Sequence, residues 1–191
     1  GHTLKPVYLP MARIAVTFKS RKVDAVMMDV GEDMKIHGAF YGDPPVLYDN
    51  VFITLKKKNI TIKRPEDLRG LRINSFIGAL RRYPEWLGEV GKTKDYVEKN
   101  DQSVQPLLLS LERCDVVLSD RFIFKYYANL AKTNPRYKDL PVVEHRFVVV
   151  RPDDYRPVFH SEKIRDDFNF GLNQLRKKGR DKVIYQNYLG R

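Results

Sequence analysis

The sequence predicts an α/β protein, because short apolar runs alternate with helical patterns and do so twice along the 191 residues. A tail of different character follows the second alternation. It predicts two helices, with Ser161 as the N-cap of the first and Gly179 at the break between them. The order of elements therefore indicates two α/β pieces followed by a helical return of the chain.

The first alternation begins with a short strand, which is expected at residues 5–9. Pro10 follows as the expected first residue of a helix, MARIAVTFKSRK, whose apolar residues recur at helical spacing. Residues 23–30, VDAVMMDV, are almost wholly apolar, which is typical of a strand covered on both faces. After a turn-rich section, residues 51–55 read VFITL and predict another strand. These elements predict a parallel strand–helix–strand crossover and a further strand.

The second alternation repeats this pattern with more elements. A helical turn is expected in PEDLRG, a strand in LRINSF, and a helix from ALRR onward that Pro84 interrupts or kinks. The segments TKDYVEK and CDVVLS predict strands on either side of a helix at residues 103–111. The next helix, DRFIFKYYANLAKT, has two candidate N-caps, Ser119 and Asp120. A long strand, EHRFVVVRP, ends the series at Pro152.

The two alternations predict a two-lobed architecture with a cleft between the lobes. Lobe one is expected to comprise residues 1–54 and 152–191, and lobe two residues 55–151. Two strand-like crossings, residues 51–58 and 143–152, would form the hinge. Ligands of open α/β sheets bind at the carboxyl ends of strands and near helix N-termini, so the cleft is the expected site.

Composition argues against several classes of site. Cys114 is the single cysteine, so neither a disulfide framework nor a cysteine-rich zinc site is expected. The four histidines contain no i,i+4 pair, and no metal or other cofactor is expected. Lys and Arg outnumber Asp and Glu by 35 to 24, but this excess is dispersed and no nucleic-acid-binding motif accompanies it. No nucleic-acid partner is therefore expected.

Four phrases occur in order along the chain: VYLPMAR with SRKVDAVMMDV, KRPEDLRGLRINSFIGA, LERCDVVLSDRF, and FNFGLNQLRKKGRDKVIYQNYLG. Together they resemble the bacterial extracellular solute-binding proteins of the polar amino-acid type. The resemblance implies the type II periplasmic binding protein fold and a periplasmic location. It also implies a small-molecule solute that is either delivered to the inner-membrane permease of an ABC transporter or sensed by a receptor.

The resemblance further implies that a strand and a helix normally precede the portion that matches residues 5–9. Lobe one is therefore expected to lack its first strand–helix unit. Self-association that completes lobe one is a possible consequence.

In lobe one, the resemblance implies ligand contacts at the end of a strand, at Asp29 and Gly31. Tyr41 belongs to the phrase FYGDP, which matches a Phe-Ser-x-Pro-like phrase and is expected to line the cleft. The arginine with which the family binds an amino-acid carboxylate would fall at Asp33 or Met34 here. Recognition of a negative ligand group is therefore expected to come from another position.

In lobe two, Gly78 and Ala79 match the family's Gly-Thr at a strand-to-helix turn, and Phe76 precedes them on the strand. The helix N-terminus is expected to present free N–H groups and a partial positive charge to the cleft. Arg81 matches a position that contacts ligand and would supply anion recognition. Asp120 matches the acidic residue that binds a ligand ammonium group, and its alternative role is the N-cap of the next helix.

The leading hypothesis is non-catalytic binding of a small polar solute, amino-acid-like or zwitterionic, for ABC transport. A periplasmic ligand-sensing domain of a signalling receptor is the main alternative. An enzyme on the same fold, such as a dehydratase, is the lower-ranked one; it would need a general acid or base, for which Asp29, Asp33 and Asp120 are the candidates. The sequence contains no nucleophile elbow, P-loop or histidine-partnered nucleophile, so no enzymatic activity is expected.

Overall fold

The computed structural model describes residues 1–29, 32–152 and 155–189, with only the backbone of Met11 and Ala12. Within this part of the chain, no helix is long and apolar enough to cross a membrane.

The chain divides into two compact units. Unit 1 comprises Gly1–Leu47 with Arg151–Val183, and unit 2 comprises Tyr48–Val150 with Ile184–Arg191. The helices are α1 (Met11–Lys19), α2 (Ala79–Arg82), α3 (Pro84–Leu87), α4 (Gln105–Ser110), α5 (Arg121–Ala131), α6 (Glu162–Lys177) and α7 (Arg180–Leu189). The strands are β1 (Ala25–Val26), β2 (Phe40–Tyr41), β3 (Asn50–Leu55), β4 (Ile73–Phe76), β5 (Tyr96–Lys99), β6 (Val116–Asp120), β7 (Val142–Arg146) and β8 (Val158–Phe159).

The sheet of unit 2 has the strand order β5-β4-β6-β3-β7. β4 runs parallel to β5 and β6, whereas β3 runs antiparallel to β6 and β7. Every residue of β3 and β6 is buried, as the continuous apolar run VFITL leads one to expect of a strand covered on both faces. The strand predicted at residues 51–55 is confirmed.

Two hydrophobic clusters cover this sheet. The first contains Phe52, Val116 and Leu118, against which Trp86 and Phe147 pack. The second contains residues of the same strands at alternate positions, together with residues of α4 and α5: Val51, Ile53, Val117, Leu109 and Phe124. Because successive residues of a strand point to opposite faces, the clusters lie on opposite faces of the sheet.

Unit 1 is built on a smaller sheet. Its strands are two residues long, have the order β1-β8-β2, and pair antiparallel. The amphipathic helix α1 contributes Ala15 and Phe18 to the core, where they join Val26, Met34 and Val158. The helix predicted from MARIAVTFKSRK is confirmed, with Pro10 as its N-cap rather than its first helical residue.

In unit 1, one strand prediction is wrong and a second is correct only at Ala25–Val26. Residues 5–9 form no strand and are almost wholly exposed, and Pro6 and Pro10 lack the N–H groups that a strand ladder needs. Of residues 23–30, only Ala25–Val26 is a strand within the described chain, and it pairs antiparallel with β8. The predicted parallel crossover is therefore not formed by the described residues.

The strands near residue 150 also differ from expectation. The run EHRFVVVRP predicts one long strand, but β7 starts two residues earlier, at Val142, and ends at Arg146. A separate strand, β8, follows at Val158–Phe159. A two-residue strand is too short for a hydrophobic pattern to reveal.

Four residues that were predicted to cap or break helices do so in the structure. Pro84 separates α2 from α3, as predicted. Asp120 is the N-cap of α5, and Ser161 is the N-cap of α6, where its hydroxyl accepts a backbone hydrogen bond. Gly179 lies between α6 and α7 at φ +65°, a left-handed conformation that glycine adopts without steric cost.

Burial of Cys114 leads to a chemical prediction. The side chain is 5% exposed, and burial raises the pKa of its thiol to about 12. Since the thiolate is the reactive form, iodoacetamide near neutral pH should leave Cys114 unmodified in the folded protein and alkylate it fully after denaturation. Mass spectrometry of the intact chain measures this, and rapid modification of the folded protein would contradict it.

Candidate functional site

Polar side chains meet at one end of the unit 2 sheet. Asn50 at the start of β3 pairs with Asp120 at the end of β6, because the two strands are antiparallel. β4 runs parallel to β6, so the loop after Phe76 leaves the sheet at the same end. We call this end the polar edge and define it as Asp49, Asn50, residues 76–83, Glu98 and Asp120.

Asp120 is buried, and its carboxylate accepts three backbone hydrogen bonds. One oxygen accepts the N–H groups of Phe122 and Ile123, both at 2.9 Å, and the other accepts that of Asp49 at 2.7 Å. Burial raises the pKa of Asp120 above its ordinary value, and the three hydrogen bonds offset only part of this effect. The N-cap alternative is thus confirmed, while contact with a ligand ammonium group stays a prediction.

A second buried group ties β3 to the helical segment after β4. The Asn50 amide donates to the Tyr83 hydroxyl at 2.8 Å, and Arg82 Nε donates to the same hydroxyl at 3.1 Å. Asn50 is 5% exposed and Tyr83 is 8% exposed. The Tyr83 ring packs edge-on against Phe147, with 4.9 Å between the ring centroids. These contacts hold the Asn50 amide and the Tyr83 hydroxyl in one arrangement.

The arginines beside Asp49 are paired with carboxylates. Arg121 and Arg146 both reach the same oxygen of Asp49, at 3.3 and 3.1 Å. Arg121 also forms an ion pair with Glu144. This network joins β7, the start of β3 and the start of α5, so it stabilises the polar edge.

The expectation of free N–H groups after β4 is wrong at two positions. The Gly78 N–H donates to Glu98 Oε2 at 2.7 Å, and the Leu80 N–H donates to Glu98 Oε1 at 2.9 Å. Glu98 lies on β5, directly beside Ser75 of β4. The protein's own carboxylate therefore occupies the place where a negative ligand group was expected.

The remaining lobe-two candidates differ in exposure. Phe76 and Ala79 are 8% and 0% exposed and belong to the first hydrophobic cluster, so their side chains fill the core. Gly78 has φ +88°, where any other residue would be strained. Arg81 is exposed, and its Nη2 lies 4.0 Å from the point where a Cβ on Gly78 would be. Of these residues, Arg81 has the side chain best able to reach a solute.

The lobe-one candidates lie in unit 1. Asp29 is 8% exposed, and Gly31 lies outside the described residues. The Tyr41 hydroxyl accepts the N–H of Met34 at 2.9 Å and donates to the carbonyl of Glu32 at 3.1 Å. Burial raises the pKa of Tyr41, with smaller contributions from nearby charges that include Asp29. Both hydrogen bonds fix the backbone at Glu32 and Met34.

Several residues of the polar edge escaped sequence reasoning. Asn50 directly precedes the apolar run VFITL, and this could have been noticed. A polar side chain buried with such a strand needs a hydrogen-bond partner. Nothing in the segment TKDYVEK marks Glu98, because its partners are 18 and 20 residues away in the chain. Among the described residues, no group of three His, Cys, Asp or Glu side chains could hold a metal ion.

No protein-family model matches the chain, and no curated protein sequence matches it. Solved structures do match it. A histidine kinase sensor domain with similarity to periplasmic binding proteins superposes with a TM-score of 0.67 at 21% identity, over 95% of this chain and 76% of that one. An ancestral amino-acid-binding protein, a precursor of cyclohexadienyl dehydratase, gives a TM-score of 0.69 at 20% identity, over 96% and 76%. The chain has the type II periplasmic binding protein fold.

A third structure with this fold is the substrate-binding protein AbpA of an amino acid ABC transporter from Streptococcus pneumoniae, bound to L-arginine. It gives a TM-score of 0.66 at 13% identity, over 95% of this chain and 74% of that one. The α/β fold class and the recognition of a periplasmic binding protein fold from four short phrases are confirmed. The match covers about three quarters of each of these proteins. The absent first strand–helix unit stays a prediction.

Proposed function

We propose that this chain binds a small polar solute reversibly and without catalysis. The solute is amino-acid-like or zwitterionic. The observation that carries the proposal is the periplasmic binding protein fold, which is shared with the arginine-bound transporter component and the ancestral amino-acid-binding protein. Binding by such a protein requires preorganised polar groups rather than a reactive one.

The polar edge supports this proposal. Its buried polar groups are held by hydrogen bonds within unit 2, as Asn50, Tyr83 and Asp120 illustrate. A site whose groups are already ordered loses less conformational entropy when a ligand binds. Arg81 follows directly and is exposed, and a guanidinium binds a carboxylate in a planar, two-point geometry.

In the proposal, Arg81 binds the negative group of the solute. The backbone around Gly78 and Ala79 shapes the wall beside it, and the buried side chain of Phe76 supports this wall from the core. Asp120 is the proposed contact for a positive group. Asp29, Gly31 and Tyr41 are the proposed contacts from the other lobe.

We place this function in the periplasm. An inner-membrane permease of an ABC transporter would be the partner that receives the solute.

A second candidate is a ligand-sensing domain of a signalling receptor. The histidine kinase sensor domain supports it, because a domain with that role has the same fold as this chain. Both candidates require solute binding and differ only in the partner that responds. The two are separated by testing whether the loaded chain stimulates solute uptake or a receptor kinase.

A thermal-shift screen tests the proposal. Amino acids, opines, polyamines, dicarboxylates and phosphate-bearing metabolites would each be added to the protein. A solute at a hundredfold excess over its dissociation constant should add about 2.7 kcal/mol, or about 5 to 10 °C in Tm. A well-folded protein that none of these solutes stabilises would count against solute binding.

Arg81→Ala should then weaken binding of a carboxylate-bearing solute by about tenfold to a hundredfold, since a hydrogen bond to a charged group contributes about 1.5–3 kcal/mol. Titration calorimetry measures the loss. Arg113→Ala is the matched control, because Arg113 is also exposed in unit 2 but lies at the other end of β6. Equal affinity in the wild type and Arg81→Ala would remove Arg81 from the site.

A further inference from the structure

Glu98 reaches from β5 to the loop that follows β4. The two strands are parallel, and Glu98 is the register partner of Ser75, so its side chain extends past the end of the neighbouring strand. Its carboxylate accepts hydrogen bonds from the Gly78 N–H at 2.7 Å and the Leu80 N–H at 2.9 Å. The Tyr96 hydroxyl donates a third bond, at 2.8 Å to Oε1.

These bonds hold the carboxylate firmly. Each involves a charged acceptor, and charge-assisted hydrogen bonds are about twice as strong as neutral ones. Burial raises the pKa of Tyr96 well above its ordinary value, and its bond to Glu98 raises it further. Tyr96 therefore remains protonated at neutral pH and keeps donating to Glu98.

We propose that Glu98 is a specificity-determining residue, a built-in carboxylate that prevents a ligand carboxylate from binding at Gly78 and Leu80. The inference rests on the proposed solute-binding function. A ligand carboxylate at this wall would find both N–H donors already used and would face a fixed negative charge. The solute therefore presents a neutral or positively charged group to these two N–H groups, and its own carboxylate is bound by the side chain of Arg81 rather than by this backbone.

The test follows the backbone amides of Gly78 and Leu80 by ¹⁵N NMR while acetate is added to the full chain. In the wild type, neither amide should show a saturable shift. In Glu98→Ala, both amides lose their acceptor, and both should show a saturable shift at millimolar acetate. Glu89→Ala is the control, because Glu89 is an exposed carboxylate of unit 2 that forms an ion pair with Lys92; it should behave as the wild type.

Glu98→Gln covers the case in which the alanine variant does not fold. Its amide oxygen can accept one N–H, but its NH₂ group cannot accept the other, so one of the two amides should respond to acetate. Saturable shifts in the wild type, or no response in a folded Glu98 variant, would overturn the inference. The solute screen tests the proposed function separately, because acetate binding at these amides does not depend on the natural solute.

Discussion

Asp120→Ala should lower the free energy of unfolding by about 3 kcal/mol. The substitution removes the shared acceptor of three backbone N–H groups, those of Asp49, Phe122 and Ile123. A buried donor left unsatisfied costs about 1–3 kcal/mol, and loss of an N-cap costs about 0.5–2 kcal/mol. The substitution also removes a buried carboxylate whose charge is unfavourable away from water, and this offsets part of the lost stability. Urea denaturation followed by circular dichroism measures the change.

Asp101→Ala is the matched control. Asp101 is also an N-cap, since its side chain accepts from the Ser103 N–H, but it is exposed. Its loss should cost about 0.5 kcal/mol. Equal costs for the two substitutions would show that burial adds nothing to the role of Asp120.

The stability contribution of Asp120 should also depend on pH. Because burial raises the pKa of its carboxyl in the folded state, the folded protein takes up this proton more readily than the unfolded chain. That contribution is fully present below the unfolded pKa and is lost as the pH rises through the raised folded pKa. The wild type should therefore gain stability relative to Asp120→Asn between about pH 7 and about pH 4. A difference that is flat over this range would contradict the assignment.

Phe52→Ala should lower the free energy of unfolding by about 3–5 kcal/mol, the usual cost of truncating a buried phenylalanine. Phe52 is fully buried at the centre of β3. Its ring lies 4.4 Å from that of Phe147 and 5.7 Å from that of Trp86, measured between centroids. The substitution removes these contacts and leaves a cavity beside the segment that carries Tyr83.

Phe170→Ala is the control for Phe52→Ala. Phe170 lies on α6 and is 68% exposed, so its truncation should change the free energy of unfolding by less than about 0.5 kcal/mol. Denaturation curves of both variants give the comparison. A Phe52→Ala loss as small as that of the control would mean that the core on this face of the sheet does not depend on the ring.

Stability and binding are linked at the polar edge. Asp120 and Tyr83 each secure a junction between β3 and another element, and both junctions lie within the proposed site. A substitution of Asp120 or Tyr83 is therefore expected to lower the free energy of unfolding, whether or not it also changes the affinity for a solute. For this reason, Arg81, whose side chain is exposed, is a better probe of recognition.

The elements that the sequence predicts correctly depend on local signals. The apolar run at residues 51–55 marks β3, Pro84 separates two short helices, and the cap residues Asp120 and Ser161 mark the starts of α5 and α6. Each signal acts within a few residues, through side-chain burial, a missing N–H group or a capping hydrogen bond. Such signals also sufficed to recognise the fold, because four short phrases preserved their order.

Unit 1 shows where local signals fail. Residues 5–9 look like a strand, but strand formation requires a neighbour with free hydrogen-bonding groups, and Pro6 has no N–H group to donate to one. β8 is too short to be seen in a pattern and forms because it pairs with both β1 and β2. Pairing between distant segments is a property of the folded chain.

By itself, the sequence determined the fold class, the helix starts that cap residues mark and the position of the candidate residues at strand and helix ends. Only the tertiary structure decided which polar groups those residues bind. Glu98 reaches Gly78 across 20 residues, Asp120 reaches Asp49 across 71, and Asn50 reaches Tyr83 across 33. Hydrogen bonds at such separations depend on strand register and on the packing of the sheet. Neither can be predicted from a periodic pattern in the sequence.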